Sequence, residues 1–408
     1  MTLAFEHHPR RRRKALLLLV MLALVCLWAL PAAAQDKEFS FVVFGDTRSE
    51  SFIAAGVWQS QQIRQMLGER YPAASPELFF DPQTGQLERL VEPASGKEGP
   101  TTYFYRDGWP WLGVRDGQVI LRRQGLNWVL RRVLSEIKTG SAFALHTGDV
   151  MLWGHQGQDL DHNPGWQEFN DRFLSKLPPA DAALGLPGRF FPALGNHEVW
   201  GDDDLAGVLS TMPYLTKLGF SKDKRIYHFD HGGCRFIFLD SGTYGPTGEG
   251  WFSNHPNFQY QMQTLTEWLN EAREKKIRNV FVVYHKPSFC LAGHGPLPMS
   301  DNPHPYLKPF ARSLNIAVFN GHVHSTEIYY ADGIRYLLLG GGGAPQKLKA
   351  NPPPEGYPEE RYWLGQSRVE EYNYLVTKVG PRGVEFTLHR FRPGDPLKPL
   401  DQVELYKN

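Results

Sequence analysis

Five times between Phe41 and His324, a short apolar run ends abruptly in a polar block drawn from the same few residue types. Gly45-Asp46-Thr47-Arg48 follows Phe41 to Phe44, and Gly148-Asp149 follows Ser141 to His146. Gly195-Asn196-His197-Glu198 follows Phe190 to Leu194, His285 follows Val280 to Tyr284, and Gly321-His322-Val323-His324 follows Ile316 to Phe319. Apolar runs this short and this continuous read as strands buried on both faces. In an α/β sheet the carboxyl ends of the strands are where ligands bind. The pattern therefore restricts the chain to folds in which blocks far apart in sequence converge on one edge of a sheet.

The segments between the runs carry a helical period. Leu126, Val129, Leu130, Val133, Leu134 and Ile137 mark one helical face, and Met262, Leu265, Leu269 and Ala272 mark another just before the run at Val280. Residues 52–67 read as a further helix, and Tyr336 to Leu339 as a further strand. Strands alternating with helices imply an α/β sheet core, part of it parallel. Residues 372–391 read as a hairpin around Gly380-Pro381-Arg382-Gly383. Residues 68–124 break the alternation with turn signals at Asp81 to Gly85, Asp107-Gly108 and Asp116-Gly117. They read as a β-rich insertion within one domain, where Trp109 and Trp111 are expected to serve packing.

The amino terminus is of another kind. Arg10 to Lys14 form a basic cluster, Ala15 to Leu30 an apolar run, and Pro31-Ala32-Ala33-Ala34 a small-residue site. That is the layout of a secretory signal, and the apolar run is short for a stable membrane span. Residues 1–34 are expected to be removed, leaving a domain of 35–408 that is periplasmic or secreted. Losing five basic residues and Glu6 takes the formal charge from +1 to −3. A slightly acidic surface attracts polynucleotide poorly, so no nucleic-acid partner is expected. Only Cys234 and Cys290 remain, too few for a disulfide framework, and both flank apolar strand-like runs, which favours buried thiols.

The chemistry of the blocks is that of a metal site. Asp, Asn and His offer oxygen and imidazole donors, a set suited to zinc, manganese or iron. A lone strand-end Asp or His usually does no more than cap a turn, but five such blocks in order are not explained that way. His146, His155 and His294 fall outside the pattern and read as ordinary polar residues. Gly340 to Gly343 lacks the Lys-Ser/Thr of a phosphate loop and reads as a tight turn near the site.

With all five blocks present in this order, the chain resembles the calcineurin-like metallophosphoesterase superfamily, the group that includes purple acid phosphatases. The resemblance implies a four-layer sandwich, with two mixed β-sheets face to face and helices outside. It implies two divalent or mixed-valence metal ions, and metal-bound water or hydroxide attacking phosphorus. Carried over by position, Asp149 would bridge the metals, Asp46 and His324 would hold the first, and Asn196, His285 and His322 the second. His197 would act as general acid toward the leaving group or help bind phosphate, with Glu198 orienting it. Two positions depart from the family pattern: Arg48 replaces a frequent histidine, and Leu152 replaces the tyrosine of the purple enzymes. The first metal is then left with three protein ligands, and Arg48, which has no lone pair to give, is expected to face the substrate phosphate. The expected substrate is a small-molecule phosphate ester, with a slight preference for monoesters. A phosphodiesterase or nuclease of the same superfamily, and a binding protein with a decayed metal site, are the alternatives.

Overall fold

The computed structural model describes residues 38–47, 102–106, 109–115, 118–120, 125–151, 164–199, 204–241, 256–292, 295–343, 355, 357–363, 372–391 and 401–406. The signal segment 1–34, the helix expected at 52–67, residues 68–101 of the insertion, Arg48, Leu152, His155 and His294 lie outside these.

The strands are β1 (Phe39–Phe44), β2 (Thr102–Arg106), β3 (Trp109–Arg115), β4 (Gln118–Ile120), β5 (Ala144–His146), β6 (Phe190–Pro192), β7 (Tyr227–His231) and β8 (Cys234–Phe238). They continue as β9 (Asn279–Val283), β10 (Asn315–Asn320), β11 (Thr326–Ala331), β12 (Ile334–Leu339), β13 (Glu359–Trp363), β14 (Tyr372–Gly380), β15 (Gly383–Phe391) and β16 (Asp401–Tyr406). One sheet has the order β16-β15-β14-β1-β5-β6 and a second the order β13-β11-β12-β10-β9-β8-β7. Each is mixed. β1, β5 and β6 run parallel, as do β8, β9, β10 and β12, while β14, β7 and β11 pair antiparallel with their neighbours.

Alternation along the second sheet explains why its runs are apolar throughout. Phe236, Phe281 and Phe319 point to the first sheet, where Phe41 meets Phe236 at 5.1 Å and Phe281 at 5.0 Å between ring centroids. Their neighbours Ile237, Val280, Val282, Ile316 and Val318 join a separate cluster with Met262, Leu265 and Leu269 of the helix Pro256–Glu274. Each strand therefore buries both faces, one against a sheet and one against a helix. On the first sheet the helix Gly125–Thr139 packs against β1 and β14. The result is the four-layer α/β arrangement expected from the sequence.

Local differences have simple causes. The ladder of β5 begins at Ala144, because residues 141–143 bond through single contacts such as Ala142 N–H to Ser40 O. β7 and β11 were not visible as apolar runs, since His228, Asp230 and Glu327 interrupt them. The hairpin at 372–391 is present, with Gly380 paired to Gly383. β2, β3 and β4 form a three-stranded antiparallel sheet whose strands end and resume on either side of Asp107-Gly108 and Asp116-Gly117. Cys234 and Cys290 are free and buried.

Candidate metal centre

The carboxyl ends of β1, β5, β6, β9 and β10 deliver all five polar blocks to one edge of the two sheets. The turn there is forced. Asp46, Asp149, His322 and His324 adopt φ of 58°, 57°, 75° and 54°, the left-handed region that residues with a Cβ rarely occupy. Such conformations cost on the order of 1 kcal/mol or more each and persist where surrounding structure imposes them. The imposing contacts are visible. A Cβ on Gly195 would sit 2.2 Å from Asp149 N and 2.3 Å from Asp149 Oδ1, so the Asn196 loop can touch the Asp149 loop only because residue 195 is glycine. Gly342 N–H donates to Gly45 O at 2.9 Å, which lays the 340–343 turn against the Asp46 loop, as expected.

Two sets of donor atoms result. Asn196 Oδ1, His285 Nε2 and His322 Nδ1 form a triangle with every side 3.2 Å. Asp149 Oδ1 lies 3.2 Å from His285 Nε2. Donors held about 2.0 Å from one ion in a tetrahedron are about 3.3 Å apart, so this spacing suits a small divalent cation. Asp46, Asp149 and His324 form the other set, with one ligand atom from each lying within 4.8 Å of the others. All three are buried, and His324 Nε2 is 3.5 Å from Asp46 Oδ1.

The electrostatics call for a cation. His285 Nδ1 lies 2.9 Å from Thr147 O, and a carbonyl only accepts, so Nδ1 carries the hydrogen. When the ring is neutral, as metal binding requires, its Nε2 lone pair faces the same space as the oxygens of Asp149 and Asn196. Burial disfavours a charged imidazole here, but the Asp149 carboxylate, then Asp46 and Glu198, outweigh it and raise His285 to about 9. Without metal the pocket takes up a proton to balance its carboxylates, and a divalent ion would replace that proton. The donor set and its spacing fit the metals the sequence implies.

His197, in the short helix Asn196–Val199, is buried, with Nε2 3.6 Å from Asp149 Oδ2 and its backbone N–H donating to Asp149 Oδ1 at 3.1 Å. Glu198 does not do what was expected of it. Its carboxylate accepts from the backbone N–H groups of Asp149 (2.9 Å), Met151 (3.0 Å) and Gly195 (2.6 Å), and so holds loops together rather than orienting His197. Burial and the Asp149 carboxylate push Glu198 up to about 7. His146 is also structural. Gly148 N–H donates to its Nδ1 at 3.1 Å, its Nε2 lies 3.2 Å from Thr47 Oγ1, and burial holds it down to about 3, so it is neutral. Sequence reasoning missed Glu327, whose buried carboxylate accepts from Leu291 N–H (2.7 Å) and Ser325 Oγ (2.8 Å) and ties the loop after His285 to that after His324. The available signal was weak: a lone acid just after the Gly321-His322-Val323-His324 block and just before Ile328-Tyr329-Tyr330.

Two mixed sheets with an Asp-Asn-His donor cluster at their shared edge define a metal-dependent phosphoester hydrolase. Residues 122–326, half of the chain, match the sequence profile of calcineurin-like phosphoesterases, and the chain belongs to that family. No curated protein matches it. Among solved structures it is similar to a dimetal phosphatase from Danio rerio, at 13% identity over 91% of this chain and 99% of that one, with a TM-score of 0.46. It is similar also to GAP50, the anchor in the inner membrane complex of Plasmodium, at 13% identity over 91% and 89% of the two chains, with a TM-score of 0.45. Neither likeness says what this chain acts on.

Proposed function

We propose that the protein hydrolyses phosphate monoesters of small molecules with two divalent ions, manganese, zinc or iron, after export from the cytoplasm. The observation that carries the two-ion reading is the 3.2 Å triangle of Asn196, His285 and His322 standing beside the Asp46-Asp149-His324 group. Asn196, His285 and His322 would hold one ion, Asp46 and His324 the other, with Asp149 serving both. Bound there, the ions supply Lewis acidity toward phosphoryl oxygens and a hydroxide nucleophile at neutral pH.

The chain's own residues do the rest. Asp149 offers Oδ1 toward His285 and Oδ2 toward His197, so one carboxylate links the ion sites to the general-acid candidate. His197, with Nε2 3.6 Å from Asp149 Oδ2, would donate a proton to a departing alkoxide. Glu198 keeps the Asp149 and Asn196 loops in register while charge shifts. Arg48, two residues after Asp46, would grip the phosphate with its guanidinium fork. Export rests on the sequence of residues 1–34. Among the described residues no helix is long and apolar enough to cross a membrane.

The test is turnover of an aryl phosphate and of its bis-aryl counterpart before and after chelation. Chelation is expected to abolish turnover, with manganese, zinc or iron restoring it and the monoester preferred. Full activity in metal-free protein would sink the two-ion reading, and a bis-aryl preference would make the enzyme a diesterase. In the same assay inorganic phosphate should inhibit Arg48→Ala less than the parent, and equal inhibition would remove Arg48 from the substrate site.

A further inference from the structure

The Asp149 loop is gripped from two sides by residues that are not themselves metal donors. On one side Thr47, adjoining Asp46, donates from Oγ1 to Val150 O at 3.1 Å. Because His146 Nδ1 accepts from Gly148 N–H, its Nε2 carries the hydrogen and donates to Thr47 Oγ1. A directional relay therefore runs from Gly148 N–H through His146 and Thr47 to Val150 O. It starts and ends on the Asp149 loop and passes through the Asp46 loop. On the other side Glu198, two residues after Asn196, takes N–H groups from Asp149, Met151 and Gly195. All three side chains are buried, Thr47 and His146 completely.

We propose that Thr47 with His146, and Glu198, are two separate positioning clamps, the first spacing Asp46 from Asp149 and the second spacing Asn196 from Asp149. The inference rests on the two-ion reading and adds which residues set each half of it. The clamps are unequal in reach. Glu198 holds the backbone of Asp149, which serves both ions, as well as the Asn196 loop. Thr47 meets the Asp149 loop only at Val150 O and through His146, and among these contacts the spacing it sets is that between Asp46 and Asp149. Residues that orient metal donors are typically worth about 10- to 100-fold in metal affinity.

The experiment is calorimetric titration of Zn²⁺ into chelator-stripped full-length protein, with kcat and KM measured on each loaded variant. The parent should bind two ions in a tight and a weak step, the weak step belonging to the half with fewer protein donors. Thr47→Val, which keeps shape and loses the hydroxyl, should weaken the second step by about tenfold and leave the first unchanged. Thr47→Ser should restore it. Glu198→Gln, which sets an amide N–H against a backbone N–H, should weaken both steps. Glu198→Asp, too short to reach all three donors, should do the same and covers the case in which the glutamine variant does not fold. A Thr47→Val protein that shifts both steps alike, or neither, overturns the proposal, as does a Glu198 variant that binds both ions like the parent. A parent that binds fewer than two ions overturns the two-ion reading as well, so the two failures are distinguishable.

Discussion

The two halves of the proposed metal centre differ in how far they are built before an ion arrives. Asn196, His285 and His322 hold their donor atoms 3.2 Å apart, whereas those of Asp46, Asp149 and His324 lie within 4.8 Å of one another, with His324 Nε2 3.5 Å from Asp46 Oδ1. The tight half has Thr147 O fixing the His285 tautomer and Glu198 holding the Asn196 loop against Asp149. In the sequence Arg48 stands where many family members carry a further donor to the loose half, whose links to the Asp149 loop are the Thr47 hydroxyl and the Asp46 N–H, which donates to Gly148 O at 3.0 Å. An ion entering the loose half would meet donors set on three left-handed backbone turns, those of Asp46, Asp149 and His324. Preorganisation is thus uneven within one site, and removing a donor should do unequal damage in the two halves.

The largest expected effect is at the residue the halves share. Asp149→Ala should release both ions and lower kcat/KM by at least about 10³-fold, on the order of 4 kcal/mol in the barrier. His324→Ala should release one ion and keep the other. Metal content by mass spectrometry alongside turnover separates them, and equal ion loss in the two variants would break the comparison.

His197 tests whether the space beside Asp149 Oδ2 is for chemistry rather than metal binding. His197→Ala should slow esters with poor leaving groups by about 10²- to 10⁴-fold and aryl esters much less, with metal content unchanged. A uniform loss across leaving groups would assign His197 to the tight half as a structural residue.

The smallest effect concerns stability in acid and sharpens the account of the loose half. Burial lowers His146 from 6.5 to about 3, so the native state prefers the neutral ring. The resulting stability is complete above pH 6.5, the unfolded value, and is lost as pH falls toward 3. Metal-free His146→Gln should therefore show a shallower fall in unfolding free energy between those pH values than the parent, read by denaturant titration at each pH. Parallel curves would mean that His146 takes up its proton alike in the folded and unfolded states, so that burial does not hold it neutral.

Much of this was legible in the sequence because strands buried on both faces leave a plain signature. Phe41–Phe44, Val280–Val283 and Ile316–Phe319 are apolar at every position, and each lies in a strand with one face on a sheet and the other on a helix. The ends of those runs marked Asp46, His285 and His322 without any structure. Less legible were strands that carry polar residues for local reasons. β7 contains Asp230, which pairs with the buried guanidinium of Arg235, and β11 contains Glu327, which is occupied by loop N–H groups. Glu198 was found but misassigned, because adjacency to His197 in sequence says nothing about which way a carboxylate turns in a four-residue helix.

The sequence by itself determined which residue types arrive at the shared edge of the sheets, and in what order. Period, run length and residue chemistry are local properties, and hydrophobic burial acts on them position by position. Only the tertiary structure decided what those residues do for one another. The 3.2 Å triangle joins positions 196, 285 and 322, the relay joins 47 to 146, and the carboxylate at 198 reaches back to 149 and 151. Hydrogen bonds and ion coordination depend on separations of tenths of an ångström and on the direction of lone pairs. Those quantities exist only once two sheets, stacked through Phe41, Phe236 and Phe281, have fixed where each loop begins.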